Sequence, residues 1–170
     1  MTDDLFKESD IRGAVVLSNG QITFADCSQR KIIILNIDGT FAKSLSVTSG
    51  PFDITIISDK TVAISAIRAV QIIEIDSGNI IESIKTNGEC QSIYNHFTKR
   101  MIICYVKSKG IQSIQFFDNT ISTIVKARSE SKSGSIFIAV QDENIFESRA
   151  EQHTITCYTL TGEKQWVFIN

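Results

Sequence analysis

The sequence predicts an all-β fold of propeller type, and three observations carry that expectation. First, isoleucine dominates: 29 of the 170 residues are Ile, and branching at Cβ suits a pleated, half-buried surface while stiffening the side chain against a helix. Second, the apolar runs are short and bounded by Gly, Asn, Asp and Ser, and no window sustains the i, i+3, i+4, i+7 spacing of an amphipathic helix. Third, one turn recurs. Gly39, Gly78, Asn119 and Gly162 follow one another at intervals of 39, 41 and 43 residues, each between two apolar runs. A period near 40 residues with four strands per unit is the signature of propeller blades. A sandwich or barrel also contains many short strands, but gives no reason for a fixed period.

Each unit divides into four strands. In the first they are expected at 13–18, 21–25, 31–37 and 41–47, and in the second at 52–57, 61–66, 70–75 and 79–85. The third places them at 91–95, 100–107, 111–117 and 120–125, and the fourth at 135–140, 144–149, 154–160 and 164–169. A tail of residues 1–10 precedes four blades bounded at 11–49, 50–87, 88–129 and 130–170. Gly20, Gly39, Gly78, Asn119 and Gly162 are the expected turn residues, because glycine supplies positive φ without steric cost and asparagine also enters the left-handed region. The acidic residues beside the turns, Asp38, Asp76, Asp118 and Glu163, fit turn formers better than a ring of catalytic carboxylates, because Asp bonds its own backbone there.

Composition narrows the class. The chain is 42% hydrophobic and 21% charged, with a net charge of −2, which excludes a disordered or collagen-like chain. That charge also argues against a domain built chiefly to hold nucleic acid. No apolar run reaches the roughly 18 residues of a membrane helix, and the opening MTDDLFKESD lacks the basic and apolar parts of a secretory signal. The expected location is cytoplasmic, with no membrane partner. Cys27, Cys90, Cys104 and Cys157 show no C-x-x-C pair and are expected as small buried hydrophobes.

The run at residues 13–41, GAVVLSNGQITFADCSQRKIIILNIDGTF, resembles the NHL-like propellers that end tripartite-motif proteins, most closely the molluscan and other invertebrate members. Further matching segments are GPFDITIISDKTVAIS at 50–65, IKTNGEC at 84–90, KGIQSIQ at 109–115 and TCYTLTGEKQWVF at 156–168. The resemblance implies a six-bladed ring, of which these residues correspond to about four consecutive blades, and a role in recognising targets for a ubiquitin ligase. Protein partners, and RNA in some members, come with the same resemblance. RING, B-box and coiled-coil patterns are missing from this sequence, so ubiquitin transfer itself is not implied. An incomplete ring would expose an apolar blade face, and self-association through terminal blades is expected.

The sequence holds no G-x-S-x-G, H-E-x-x-H, Walker or G-x-G-x-x-G motif. Cys90, His96 and Cys104 match no structural zinc spacing, and His96 is expected at the surface beside two buried thiols. A metal-dependent hydrolase would need polar ligands repeated in the first strand of several blades, where Val, Leu, Ile and Phe stand instead. No catalysis, cofactor or metal is expected. Trp166, Phe116 and Phe117 are expected to pack within the fold.

Charge is unevenly spread: −4 over residues 1–98, +5 over 99–132 and −3 over 133–170. Up-and-down topology would put Arg30, Lys31, Arg68, Lys107, Lys109, Lys126, Arg128, Lys132 and Arg149 on one loop side, with Glu130 and Glu151 as exceptions, and Asp38, Asp59, Asp76, Asp118, Asp142, Glu143 and Glu163 on the other, where Lys60, Lys99, Arg100 and Lys164 break the rule. The candidate binding residues are Lys107, Lys109, Lys126, Arg128 and Lys132, facing an acidic protein segment or RNA. Aromatic residues do not interleave with these cations for base stacking, which favours the alternative that connecting loops carry Lys for solubility while hairpin turns favour Asp.

Overall fold

Period-2 alternation of Ile, Val and Phe with polar residues produces fourteen strands, each antiparallel to its neighbour. The computed structural model describes residues 8–127 and 134–169. Contacts divide the chain into two units, Met1–Lys85 and Thr86–Asn170.

The first unit opens with a meander of β1 (Ile11–Val16), β2 (Ile22–Asp26), β3 (Lys31–Leu35) and β4 (Phe41–Ser46), paired in that order. It continues with β5 (Asp53–Ser58), β6 (Thr61–Glu74) and the start of β7 (Ile80–His96). One face of the first meander meets the second across a core of Ala25, Ile32, Ile34, Ile54, Val62, Ile64 and Ile73, all nearly inaccessible to solvent. Full burial of one such side chain contributes about 1.5–3 kcal/mol, so these ladders hold together through their faces as well as their hydrogen bonds.

The sequence expects two strands where β6 runs as one. Arg68 has φ 62 in the middle of β6, and the Ile75 amide donates to the Lys60 carbonyl at 2.8 Å. The run therefore folds back on itself at Ile67 and Arg68 in a turn too tight to interrupt the ladder. Asn87, with φ 54, similarly lies inside β7 where two strands are expected.

The second unit contains the rest of β7, then β8 (Met101–Val106), β9 (Gly110–Gln115) and β10 (Ile121–Lys126), each beside the next. Its last meander is β11 (Ile136–Gln141), β12 (Asn144–Arg149), β13 (Thr154–Thr159) and β14 (Lys164–Ile169). Only a single 3₁₀ turn, Ala150–Gln152, departs from strand and loop among the described elements. The core packs Met101, Ile103, Tyr105 and Ile111 against Ile136, Ile138, Val140 and Ile145. Ser92 joins in by accepting from the Ile138 amide at 3.1 Å. The first and last four strands each form a four-stranded meander and the strands from β5 to β10 one six-stranded sheet, consistent with a propeller-like, all-β fold.

The recurring turn shares a left-handed residue. Gly20, Gly39, Gly78, Asn119 and Gly162 all have positive φ, from 58 to 87. Asp38 Oδ1 accepts the Thr40 amide, and Asp118 Oδ1 the Thr120 amide, each at 2.9 Å. In both turns the hydrogen bonds from Thr40 and Thr120, side chain first and then backbone, hold the carboxyl below its ordinary pKa. Asn19 and Ser77 accept from the amide two residues on in the same way.

Two expectations about side chains are corrected. Phe117 is 83% and Trp166 46% exposed, because β9 ends at Gln115, leaving Phe117 in the turn, and β14 is an edge strand exposed along its length. His96 is buried, not superficial, because its Nε2 lies 2.9 Å from the Asp142 carbonyl and its Nδ1 faces Thr98 Oγ1. No disulfide joins the cysteines: Cys90, Cys104 and Cys157 are buried and Cys27 is half-buried.

Asp26 anchors the start of the first meander. Its buried Oδ1 accepts from the amides of Gln29 and Asp10 and the hydroxyl of Ser28, at 2.9–3.2 Å. Burial pushes its pKa up, but the hydrogen bonds outweigh this and the net shift is downward. The carboxylate thus stabilises the fold above its unfolded-state pKa, and that contribution is lost as pH falls through the lower folded value. Asp26→Ala should cost about 1–3 kcal/mol in urea denaturation at neutral pH. Asp26→Asn should remove this residue's share of the acid-induced loss of stability.

Candidate functional site

The lysines at one end of β8, β9 and β10 form the strongest polar surface feature that the sequence singles out. The β8–β9 hairpin closes where Val106 pairs with Gly110, with Ser108 at φ 65 and the Lys109 amide donating to the Val106 carbonyl at 2.9 Å. The Lys107 amide is tied to the Glu89 carbonyl at 2.8 Å, which fixes the hairpin against β7. On the other flank Gly110 pairs with Lys126, and the Ala127 amide donates to the Lys109 carbonyl at 3.0 Å.

Gly110 makes this approach feasible. Its φ is 98, and a Cβ there would lie 2.0 Å from the Val125 carbonyl oxygen. With hydrogen in place of a side chain, β10 can end alongside the hairpin, with Lys126 opposite Gly110 and Ala127 bonded to Lys109. Lys107, Lys109 and Lys126 are exposed, and no ion pair among the described residues involves them. Arg128 and Lys132 lie outside the described residues. The hairpin and the end of β10 thus bring the backbone of three exposed lysines to one end of the ladder, and positive side chains there suit carboxylates or phosphates.

Arg149, expected on the same loop side, is instead 6% exposed and paired with Glu147, which is 1% exposed. The two sit two residues apart on β12 and therefore share the face turned toward the core. Arg149 Nε donates to Glu147 Oε2 at 3.0 Å and its NH2 to Oε1 at 2.7 Å. The Tyr158 hydroxyl approaches Glu147 Oε2 at 3.4 Å, and the guanidinium lies 5.8 Å from the centre of the Tyr105 ring. Burial lowers the Arg149 pKa, but the bonds and charge of Glu147 more than reverse this and the net shift is upward.

Sequence reasoning missed this pair. The available signal was the alternation Ile145, Glu147, Arg149, two charges continuing an inward-facing register. A cleft beside Arg149, lined by Ser135, Ile136 and Gln152 among others, has a volume of about 20 Å³, room for a water molecule and too small for a substrate. Cys90, His96 and Cys104 do not converge. Cys104 pairs with Ile93, Cys90 with Val106 and His96 with Met101 along the ladder, and no group of three metal-ligating side chains occurs among the described residues.

No protein-family model matches the chain, and no curated protein matches it. Among solved structures it is similar to the crystal structure of a structural-genomics protein of unknown function from Bacteroides thetaiotaomicron VPI-5482. The TM-score is 0.75 at 13% sequence identity, over 92% of this chain and 42% of that one. This chain thus spans less than half the length of the structure it matches, and the likeness concerns the fold alone. No helix among the described residues is long and apolar enough to cross a membrane.

The buried pair yields a direct test. Removing one partner leaves an uncompensated charge in the core, so Glu147→Ala should cost about 3–5 kcal/mol. Adding Arg149→Leu to that variant should recover part of the loss, because the stranded charge goes with it. A double-mutant cycle by urea denaturation of the full chain measures both.

Proposed function

We propose that the chain is a non-catalytic, cytoplasmic protein-interaction module that binds an acidic protein segment at the ladder end formed by Lys107, Lys109 and Lys126. The observation that carries this reading is the grouping of three exposed lysines around Gly110 without an ion-pair partner among the described residues. Exposed ammonium groups attract carboxylates and steer an acidic segment toward this end of the ladder. The resemblance to the NHL-like propellers of tripartite-motif ligases supports the same direction, with target recognition as the role. The lysine ladder end carries no interleaved aromatic residues on which bases would stack, so acidic protein is favoured over RNA.

The test is a binding titration with a fluorescent Glu/Asp-rich peptide and, separately, a single-stranded RNA of equal charge. Reversing all three lysines, Lys107→Glu with Lys109→Glu and Lys126→Glu, should weaken peptide binding by about tenfold or more, taking roughly 0.5 kcal/mol for each exposed pair. Unchanged peptide affinity in that variant, or tighter binding of the RNA, would sink the proposal.

A further inference from the structure

Two asparagines in the chain are followed by glycine, Asn19 before Gly20 and Asn87 before Gly88. An asparagine in that setting can close on the chain that follows it, because glycine has no Cβ to shield its own amide nitrogen. The fold treats the two sites differently. Asn19 is pinned: its Oδ1 accepts from the Gln21 amide at 3.0 Å and its Nδ2 donates to Gln21 Oε1 at 2.9 Å. The Gly20 amide is occupied as well, donating to the Leu17 carbonyl at 2.9 Å. Asn87 is exposed with φ 54, and its side chain has no hydrogen bond among the described residues.

The glycine after Asn87 is one the fold requires. A Cβ at position 88 would lie 2.7 Å from Val106 Cγ1 and 2.9 Å from the Lys107 carbonyl oxygen. The same position is 4.0 Å from Lys109 Cγ, so Gly88 stands against the hairpin that carries Lys107 and Lys109. The adjoining residues are tied to one another and to that hairpin. Thr86 Oγ1 donates to the Gly88 carbonyl at 2.8 Å, and the Lys107 amide donates to the Glu89 carbonyl at 2.8 Å.

We infer that Asn87 is a site of spontaneous deamidation, and that its product weakens the lysine end of the ladder. On losing its proton, the Gly88 amide nitrogen attacks Asn87 Cγ. The new N–C bond forms as the bond from Cγ to Nδ2 breaks, and Nδ2 leaves with a proton as ammonia. Water then opens the cyclic imide at Cγ, which gives aspartate, or at the main-chain carbonyl, which gives isoaspartate. Either product carries a negative charge where the asparagine was neutral. The Cα of residue 87 is about 3.8 Å from that of Gly88. The new carboxylate therefore stands within roughly 10 Å, one Debye length, of the hairpin backbone and lowers its positive field. Isoaspartate also lengthens the backbone by one carbon beside the bond that ties Lys107 to Glu89. The effect on binding rests on the reading of the lysine end proposed above; the reaction itself does not.

The test incubates the full chain in mildly alkaline buffer, once folded and once in concentrated urea, and locates the products by peptide mass. In the folded chain Asn87 should convert about fivefold or more faster than Asn19, whose hydrogen bonds must open first. In urea the two rates should converge. Equal rates in the folded chain, faster conversion of Asn19, or a difference that persists in urea would overturn the inference. The acidic-peptide titration is then run on Asn87→Asp and Asn87→Ala, both checked for folding by circular dichroism. Asn87→Asp should bind about two- to fivefold more weakly than the unmodified chain, with the difference fading as salt is raised. Asn87→Ala should bind as the unmodified chain does. Equal binding by the two variants would overturn the effect on the lysine end. An unmodified chain that binds no peptide would sink the proposed function and that effect together, whereas the deamidation site stands or falls on the masses alone.

Discussion

Isoleucine packed between neighbouring sheets holds the other features in place. A four-stranded antiparallel meander satisfies its inner backbone groups but leaves two broad faces, and an apolar face left in water forgoes the burial that would stabilise it. Ile32 and Ile34 of the first meander, meeting Ile54, Val62, Ile64 and Ile73 of the next, remove one face of each from solvent. In the second unit Met101, Ile103, Tyr105 and Ile111 do the same against Ile136, Ile138, Val140 and Ile145, and the hairpins lie at the ends of these packed strands. The polar surface is a consequence of the apolar register beneath it.

That dependence explains how the buried pair in the second unit is tolerated. Glu147 and Arg149 occupy inward positions of β12 that Ile145 begins, and removing two charges from water is expensive. The bidentate geometry, with Tyr158 and Tyr105 close by, satisfies most of what burial takes away. An ion pair fixed in this way admits one register of β12 against β11 and β13, because a slip by one residue would carry both charges to the opposite face. Strand order comes from hydrophobic alternation, and register in this meander has a polar lock in addition.

Much of the architecture was legible in the residues. The repeated turn located by Gly39, Gly78, Asn119 and Gly162 has positive φ at each of these residues, and the strands of the last meander fall where Ile, Val and Phe alternate. What misled was local. Arg68 turns β6 within two residues, with no glycine to announce it, since an arginine accepts positive φ when the ladder on both sides compels it. A predicted turn beside His96 and the loop topology at Arg149 point both to the surface, whereas their burial is set by partners distant in sequence or hidden in register: the Asp142 carbonyl and the Glu147 carboxylate. The lysines were easier to place, because the hairpin that carries them also follows from local pattern, but their junction with Lys126 depends on Gly110 and the approach of β10. Phe117 and Trp166 show the limit of composition: an aromatic side chain in a strand-like run packs only if a neighbouring surface covers it.

The distribution of thiols has a kinetic consequence. Cys27 stands by itself in the first unit and is half-buried, whereas Cys90, Cys104 and Cys157 are buried in the second. A buried thiol reacts only when the structure around it opens, so the rate at which each cysteine is modified reports the opening of its own surroundings. The native sequence therefore carries probes for both halves at once. Cys104 lies on central strand β8 and Cys157 on β13, so their relative rates distinguish loosening of the last meander from unfolding of the whole second unit, without an introduced label.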